Sequence, residues 1–452
     1  MAIINETLFG DAPDHNGTPY TLTFGDTFQG SIDYVGDVDY IRVFLEEGQT
    51  VSVVGQTPTG TPYNPNALIP HVNLLNGVGT LIDDTDNIGY TNSGLMFTAT
   101  TTGDYYVSIS DYFGSYTGSY EVEIKDANFT TDDIADHLTK GFWQATNRDT
   151  HAFDISSDVI ITYNISALNA DGQALALAAM EVWSDVSGLV FSASGGAADI
   201  VFTQDRDPSD GSRTAYATYS ATGQTTTSSL VNISDNWISY YGTAVGGYGF
   251  QTYIHEIGHV LGLGHAGNYN GSANYSLDGA SNHYLNDSWQ STVMSYFDQT
   301  ENLDVNADKT YIVMPGIADI VAIQNLYGTA TPVHNAGNTI YDLTGSNTPF
   351  TTSGLIQAGN PIMQTLFDTG GTDSFDASLS TTYNEFYMES EIFSNVGGYD
   401  GNVVIARGTV LENYLGGSDV DEVYGNAVSN TIFGNDGSDD LFGGSGTDHL
   451  YG

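Results

Sequence analysis

Over the first 125 residues apolar and polar positions alternate with a period of two, and no 3.6-residue period interrupts them. Gly36–Leu45, Gly48–Val53, Gly103–Ile109 and Tyr116–Ile124 each read as a strand bounded by Gly, Asp or Pro turns. Residues 1–125 are therefore expected to form an antiparallel β-sandwich. The pattern then changes. Val159–Ile165 reads as a strand, Gln173–Ser184 as a helix rich in Ala, Leu and Met, and Asp199–Thr203 as another strand. Strand, helix, strand implies a parallel pairing. Thr214–Tyr219 is, by its order along the chain, the candidate edge of that sheet. Pro315–Tyr327, with Pro starting it and Gly328 after it, reads as the closing helix of an α+β domain over residues 126–329.

From Gly416 the period becomes nine residues. GGSDVDEVY, GNAVSNTIF, GNDGSDDLF and GGSGTDHLY follow without a gap and match the template GGxGxDxUx. In such a repeat a Gly-rich turn offers Asp and backbone carbonyls to calcium, and three residues make a short strand with its apolar side chain inward. Residues 330–452 are thus expected to form a parallel β-roll, with Val423, Ile432, Leu441 and Leu450 inward. Asp421, Asp439 and Asp448 are the candidate calcium ligands, and Asn430 takes that place in the second copy. Several calcium ions are expected to fold the segment. Without them adjacent carboxylates repel and the small apolar core does not offset the chain entropy. Asp373 and Asp376, upstream, are further candidates, set against the commoner use of turn Asp to satisfy backbone donors.

Charge narrows the partners. With 55 Asp and Glu against 8 Lys and Arg, the net charge of -47 excludes nucleic acid and anionic membranes and suits calcium or a solvated acidic surface. No apolar run approaches a transmembrane length, so membrane insertion is excluded too. The absence of cysteine rules out a disulfide framework. Met1–Glu6 has neither a basic n-region nor an apolar h-region, so no secretory leader is read there.

The chemistry concentrates between residues 255 and 265, which read HEIGHVLGLGH, an HExxHxxGxxH pattern. On a helix His255 and His259 share a face, and Glu256 sits one position round, within reach of a metal-bound water. Gly262 can take positive φ at the helix end and swing His265 beneath the same ion. Three ligands leave a position open, as catalytic zinc requires. Zinc brings the pKa of its water from about 15.7 toward 7, and Glu256 can take the proton and pass it to the leaving amine. A tyrosine hydroxyl near the metal can donate to the developing oxyanion.

A second match, Ser291-Thr292-Val293-Met294-Ser295-Tyr296, is similar to the Met-turn of the metzincins. HEIGHVLGLGH followed by VMSY resembles the serralysins, zinc endopeptidases with a calcium-binding repeat domain behind the catalytic domain. GIADIVAIQNLYG and the segment Asp368–Gly401 resemble the same family. The resemblance implies one catalytic zinc on His255, His259 and His265, Glu256 as base, Met294 beneath the site and Tyr296 as a switchable fifth ligand. It also implies protein or peptide substrates, a monomer, and extracellular release by type I secretion machinery, whose signal is C-terminal. The chain stops straight after a repeat where serralysins continue, so a truncated or processed molecule is expected. Lack of cysteine excludes the cysteine-switch latency of some other metzincins. Residues 1–125 resemble the small pre-peptidase C-terminal β-sandwich of secreted bacterial peptidases, here placed before the catalytic domain. Tyr112, Phe113 and Tyr116 there are either a binding platform or half-buried sandwich aromatics. The reading is a secreted zinc endopeptidase. Its rival is a calcium-dependent adhesin or matrix-binding protein with accessory or lost protease activity.

Overall fold

The computed structural model of the chain describes all residues except 1–2, 9, 24–25, 59–67, 85–86, 89–91, 157–158, 205–212, 276–281, 303, 330–335 and 344–360. The chain divides into two compact units, Met1–Phe129 with Asn274–Asn286, and Thr130–Ala273 with Asp287–Gly452.

In the first unit two sheets enclose one core. One runs Ile3–Asn5, Thr27–Ile32, Gly118–Asp126, Thr50–Gln56, Asn92–Thr98, Asn87–Ile88, and the other Thr21–Leu22, Val38–Leu45, Gly103–Asp111, Pro70–Leu75, Leu81–Asp84. Phe28, Val53 and Val122 of the first sheet and Ile41, Val72 and Val107 of the second are buried in the same apolar cluster. The period-two pattern does this work. Along Val38–Leu45, Asp39, Ile41, Val43 and Leu45 are buried in turn. Asp39 is the polar exception: Tyr120 donates its hydroxyl to Oδ2 at 2.6 Å, and burial pushes the carboxyl up to about 8. The four expected strands fall within three residues of Val38–Leu45, Thr50–Gln56, Gly103–Asp111 and Gly118–Asp126.

The second unit holds a five-stranded sheet ordered Val190–Ala193, Ile160–Asn164, Ile200–Thr203, Thr225–Ile233, Ala215–Thr222. The first four strands are parallel and the last antiparallel, so the strand beginning at Ala215 lies at the edge. Helix Ala170–Ser187 outruns the expected span because Asn169 caps it, accepting from Gly172 N at 2.9 Å. Its Trp183 Nε1 donates to Ile254 O at 3.0 Å, tying it to helix Tyr248–Val260. The closing helix is Ile317–Tyr327, two residues later than expected, because Gly316 and not Pro315 stands at its cap. A helical run from Thr131 to Ala145, with a π-turn at His137–Gly141, was not legible in the pattern.

Toward the C-terminus short parallel strands alternate between two sheets. Asp421–Tyr424 pairs with Asp440–Phe442, and Thr431–Phe433 with His449–Tyr451, so strands nine residues apart go to opposite sheets and partners stand eighteen apart. Val423 and Ile432 are fully buried, and Leu441 packs against the same core. Leu450, expected inward, is 44 % exposed, since the strand carrying it pairs on one side only.

Candidate metal centre

Helix Tyr248–Val260 carries Glu256, His255 and His259, with the rest of the site brought in by the turns after it. At the helix end Gly262 takes φ +112, where a Cβ would stand 2.3 Å from His151 O, so only glycine fits. Leu263 N donates back to Gly258 O at 3.0 Å, and the chain doubles under the helix to deliver His265. Gly258 has a separate reason: a Cβ there would come within 2.8 Å of Met294 Sδ. The methionine turn thus packs directly on the metal helix.

The ring nitrogens of His255, His259 and His265 lie within 4.8 Å of one another. Each Nδ1 is committed to a backbone carbonyl: His255 to Val293 O at 2.8 Å, His259 to Leu263 O at 2.8 Å, His265 to Tyr269 O at 3.0 Å. Those bonds fix the tautomer with the proton on Nδ1 and leave each Nε2 as a bare donor. His259 Nε2 and His265 Nε2 then face lone pair to lone pair at 3.0 Å. Burial holds all three rings neutral, His255 down at about 4 and the other two well below their ordinary value. Neutral imidazoles converging without a proton between them are a donor set that fits zinc.

Glu256 is buried, and burial pushes its carboxyl up to about 8. The Tyr296 ring lies 4.5 Å from that of His265 and 6.1 Å from that of His255, and its hydroxyl accepts from Gly271 N at 3.4 Å. A cleft of about 730 Å³ opens over these groups, walled by Ala215, Tyr216, Ala217 and Tyr219 of the edge strand.

Two carboxylates that motif reading did not reach hold the site from behind. Asp319 accepts from Thr292 Oγ1 at 2.5 Å, Val293 N at 2.7 Å and Gly316 N at 2.8 Å. It fixes the N–H of Val293, the residue whose carbonyl receives His255. Asp287 accepts from Ser295 Oγ at 2.7 Å and from Tyr269 Oη at 3.2 Å, and Tyr269 O receives His265. Burial raises both carboxyls to about 7. The sequence signal for Asp319 was present in GIADI, where Asp three residues past Gly316 caps a helix start.

The expected calcium ligands lie apart from this centre. Asp421, fully buried, accepts from Asn384 Nδ2 at 2.6 Å, Gly417 N at 2.8 Å and Tyr414 Oη at 2.9 Å. Asp439 accepts from Asp421 N at 3.1 Å and Asp448 from Asn430 N at 3.0 Å, each eighteen residues back. Asp373 accepts from Thr339 N at 2.8 Å, and burial raises it to about 6. Asp376 accepts from Ser378 N at 2.8 Å, the ordinary turn use. Among the described residues, two groups of three or more His, Asp or Glu converge closely enough to hold a metal: the histidine triad and, in the first unit, Glu6, Asp11 and Asp39.

Residues 153–287 match the matrixin family model, and residues 330–450 match the model of the peptidase M10 serralysin C-terminal domain. The chain is 33 % identical over 322 residues to metalloprotease AprA of Pseudomonas entomophila, covering 67 % of this chain and 65 % of that protein. It is 36 % identical over 314 residues to serralysin C of Dickeya chrysanthemi, covering 67 % and 64 %. Against the serralysin of Photorhabdus luminescens it is 36 % identical over 268 residues, covering 59 % and 54 %. The chain thus spans between about half and two thirds of the length of these relatives. With the matrixin and serralysin C-terminal models matched in tandem, the first over the histidine triad, residues 153–287 and 330–450 are similar to the two parts of the serralysin-type metzincins.

Proposed function

We propose that the chain is a secreted endopeptidase that hydrolyses peptide bonds of extracellular proteins, using Glu256 as general base. The observation that carries this reading is the converging, proton-free Nε2 set of His255, His259 and His265 with buried Glu256 on the same helix. Those three nitrogens would hold a zinc ion, which would supply Lewis acidity to the scissile carbonyl and make water acidic enough to lose a proton near neutral pH. Glu256 takes that proton and delivers it to the leaving amine. Tyr296, with its ring over His265, donates its hydroxyl to the oxygen of the tetrahedral adduct once it swings from Gly271 N. The exposed edge at Ala215–Thr222 supports docking of the substrate as an added strand.

Residues 1–125 are read as a β-sandwich, antiparallel as expected except where the short strands Ile3–Asn5 and Thr21–Leu22 pair in parallel with Thr27–Ile32 and Val38–Leu45, 126–329 as the catalytic domain and 330–452 as a calcium-binding parallel β-roll. Release by type I secretion machinery, a monomeric state and calcium at Asp421, Asp439 and Asp448 belong to the same proposal. Among the described residues no helix is long and apolar enough to cross a membrane.

The test is hydrolysis of casein before and after metal removal with 1,10-phenanthroline. Cleavage is expected to vanish and to return with one equivalent of zinc per chain; cleavage that persists in demonstrably metal-free protein would end the reading. For Tyr296→Phe we expect kcat to fall by about 100-fold with KM little changed, as for loss of one oxyanion donor. An unchanged kcat removes Tyr296 from the chemistry.

A further inference from the structure

We infer that the cleft selects acidic peptides, through Arg148 and Arg213, so that cleavage falls where Asp or Glu flanks the scissile bond. The inference rests on the endopeptidase reading and adds its substrate class. In a chain with 8 Lys and Arg against 55 Asp and Glu, cations are scarce, yet Arg148 and Arg213 both line the cleft over the histidine triad. Among the described lining residues Glu256 is the one carboxylate. The sign of the charge in the cleft is therefore opposite to that of the molecule.

Among the described residues neither arginine is spent on a structural ion pair. Arg42, Lys140, Lys309 and Arg407 each lie within 4.0 Å of a carboxylate, whereas Arg148 and Arg213 have no such partner among the described residues. Both instead rest on aromatic rings. The Arg148 guanidinium carbon stands 4.9 Å from the ring centroids of Phe142 and of Trp143, and its Nε donates to Thr146 Oγ1 at 3.1 Å. The Arg213 guanidinium carbon stands 3.8 Å from the Tyr240 centroid. A ring beneath a guanidinium holds its plane and limits its rotamers while leaving the N–H edge open. That edge is the part that takes a carboxylate through two parallel hydrogen bonds.

The positions suit a bound strand. Arg213 lies two residues before the edge strand that begins at Ala215. Arg148 lies over Trp143, whose ring is 5.9 Å from that of Tyr219, four residues into the same strand. At about 3.4 Å per residue, those two ends are separated by roughly 14 Å, the reach of a short extended peptide. A peptide laid along the edge passes one guanidinium at each end. Beyond a Debye length of about 8 Å the acidic surface is screened at physiological salt, so these local charges decide which bonds are presented.

The experiment is a digest of a complex peptide mixture by the full chain with zinc and calcium present, with every cleavage site mapped by mass spectrometry. We expect Asp and Glu within three residues of the cut to be enriched at least about fivefold over their abundance. The double variant Arg148→Gln, Arg213→Gln is expected to lose that enrichment, and Arg148→Lys, Arg213→Lys to keep part of it, since lysine retains charge without the fork. Wild-type cuts with no acidic enrichment overturn the inference and leave the peptidase reading intact, as does enrichment that survives the glutamine variant. If wild type holding zinc cuts nothing, the endopeptidase reading fails and takes the inference with it.

Discussion

Replacing Glu256 with Gln should lower kcat/KM for casein-derived peptides by about 10³- to 10⁴-fold, the span of a positioned general base, with zinc content held at one per chain. Gln keeps the size and shape of the side chain but cannot take a proton. The environment makes the substitution easy to accommodate: Glu256 is buried, its carboxyl is raised to about 8 by burial alone, and no described residue hydrogen-bonds to it. The neutral amide therefore replaces a carboxyl that burial already disfavours as an anion, and it breaks no internal bond among the described residues. The three histidines stand on their own supports, His255 on Val293 O, His259 on Leu263 O and His265 on Tyr269 O, none of which passes through residue 256. Metal analysis and a thermal melt of the variant accompany the kinetics. A variant that keeps zinc and retains activity within tenfold of wild type would show that another group moves the proton.

What could be read from the sequence was what lies close along the chain. The three histidines and Glu256 fall within one helix and the turn after it, so helical spacing and a single glycine suffice to converge them. The nine-residue period likewise announced strands whose inward residues Val423 and Ile432 are buried. Its last two copies fade in turn, since the strands of Leu441 and Leu450 each have a partner on one side only: Leu441 is half-buried and Leu450 exposed. What stayed hidden depends on contacts between distant residues. Asp319 meets Thr292 across 27 positions and Asp287 meets Tyr269 across 18, and a buried aspartate has no local periodicity to betray it. Strand Thr225–Ile233 is sandwiched between Ile200–Thr203 and the edge strand, and its run of Thr and Ser gave no clean alternation. The two cleft arginines were equally silent, since only the folded chain puts residues 148 and 213 beside one active-site helix.

Gly262→Ala should cost about 2–6 kcal/mol of stability, the sum of about 1–3 for a non-glycine residue held at positive φ and about 1–3 for overpacking, and should cut zinc content well below one per chain. The added methyl carbon would stand 2.3 Å from His151 O and 3.1 Å from a Leu326 methyl. Relief requires the turn to move, and the turn is tethered on both sides. Trp143 Nε1 donates to Gly262 O at 3.0 Å, Tyr327 Oη to Leu261 O at 2.7 Å, and Gly264 N to Leu138 O at 2.7 Å. Any shift large enough to clear His151 breaks at least one of these or displaces His265, which lies three residues on. A control separates conformational strain from the clash. Gly223, in the turn between Ala215–Thr222 and Thr225–Ile233, has φ +60 but nothing within 4 Å of a Cβ. Gly223→Ala carries the backbone cost alone, so it should keep full zinc and lose only about 1–2 kcal/mol. Denaturant melts with metal analysis on both variants decide the matter: equal losses with zinc retained in each would mean that the closeness of His151 to residue 262 plays no part in building the metal site.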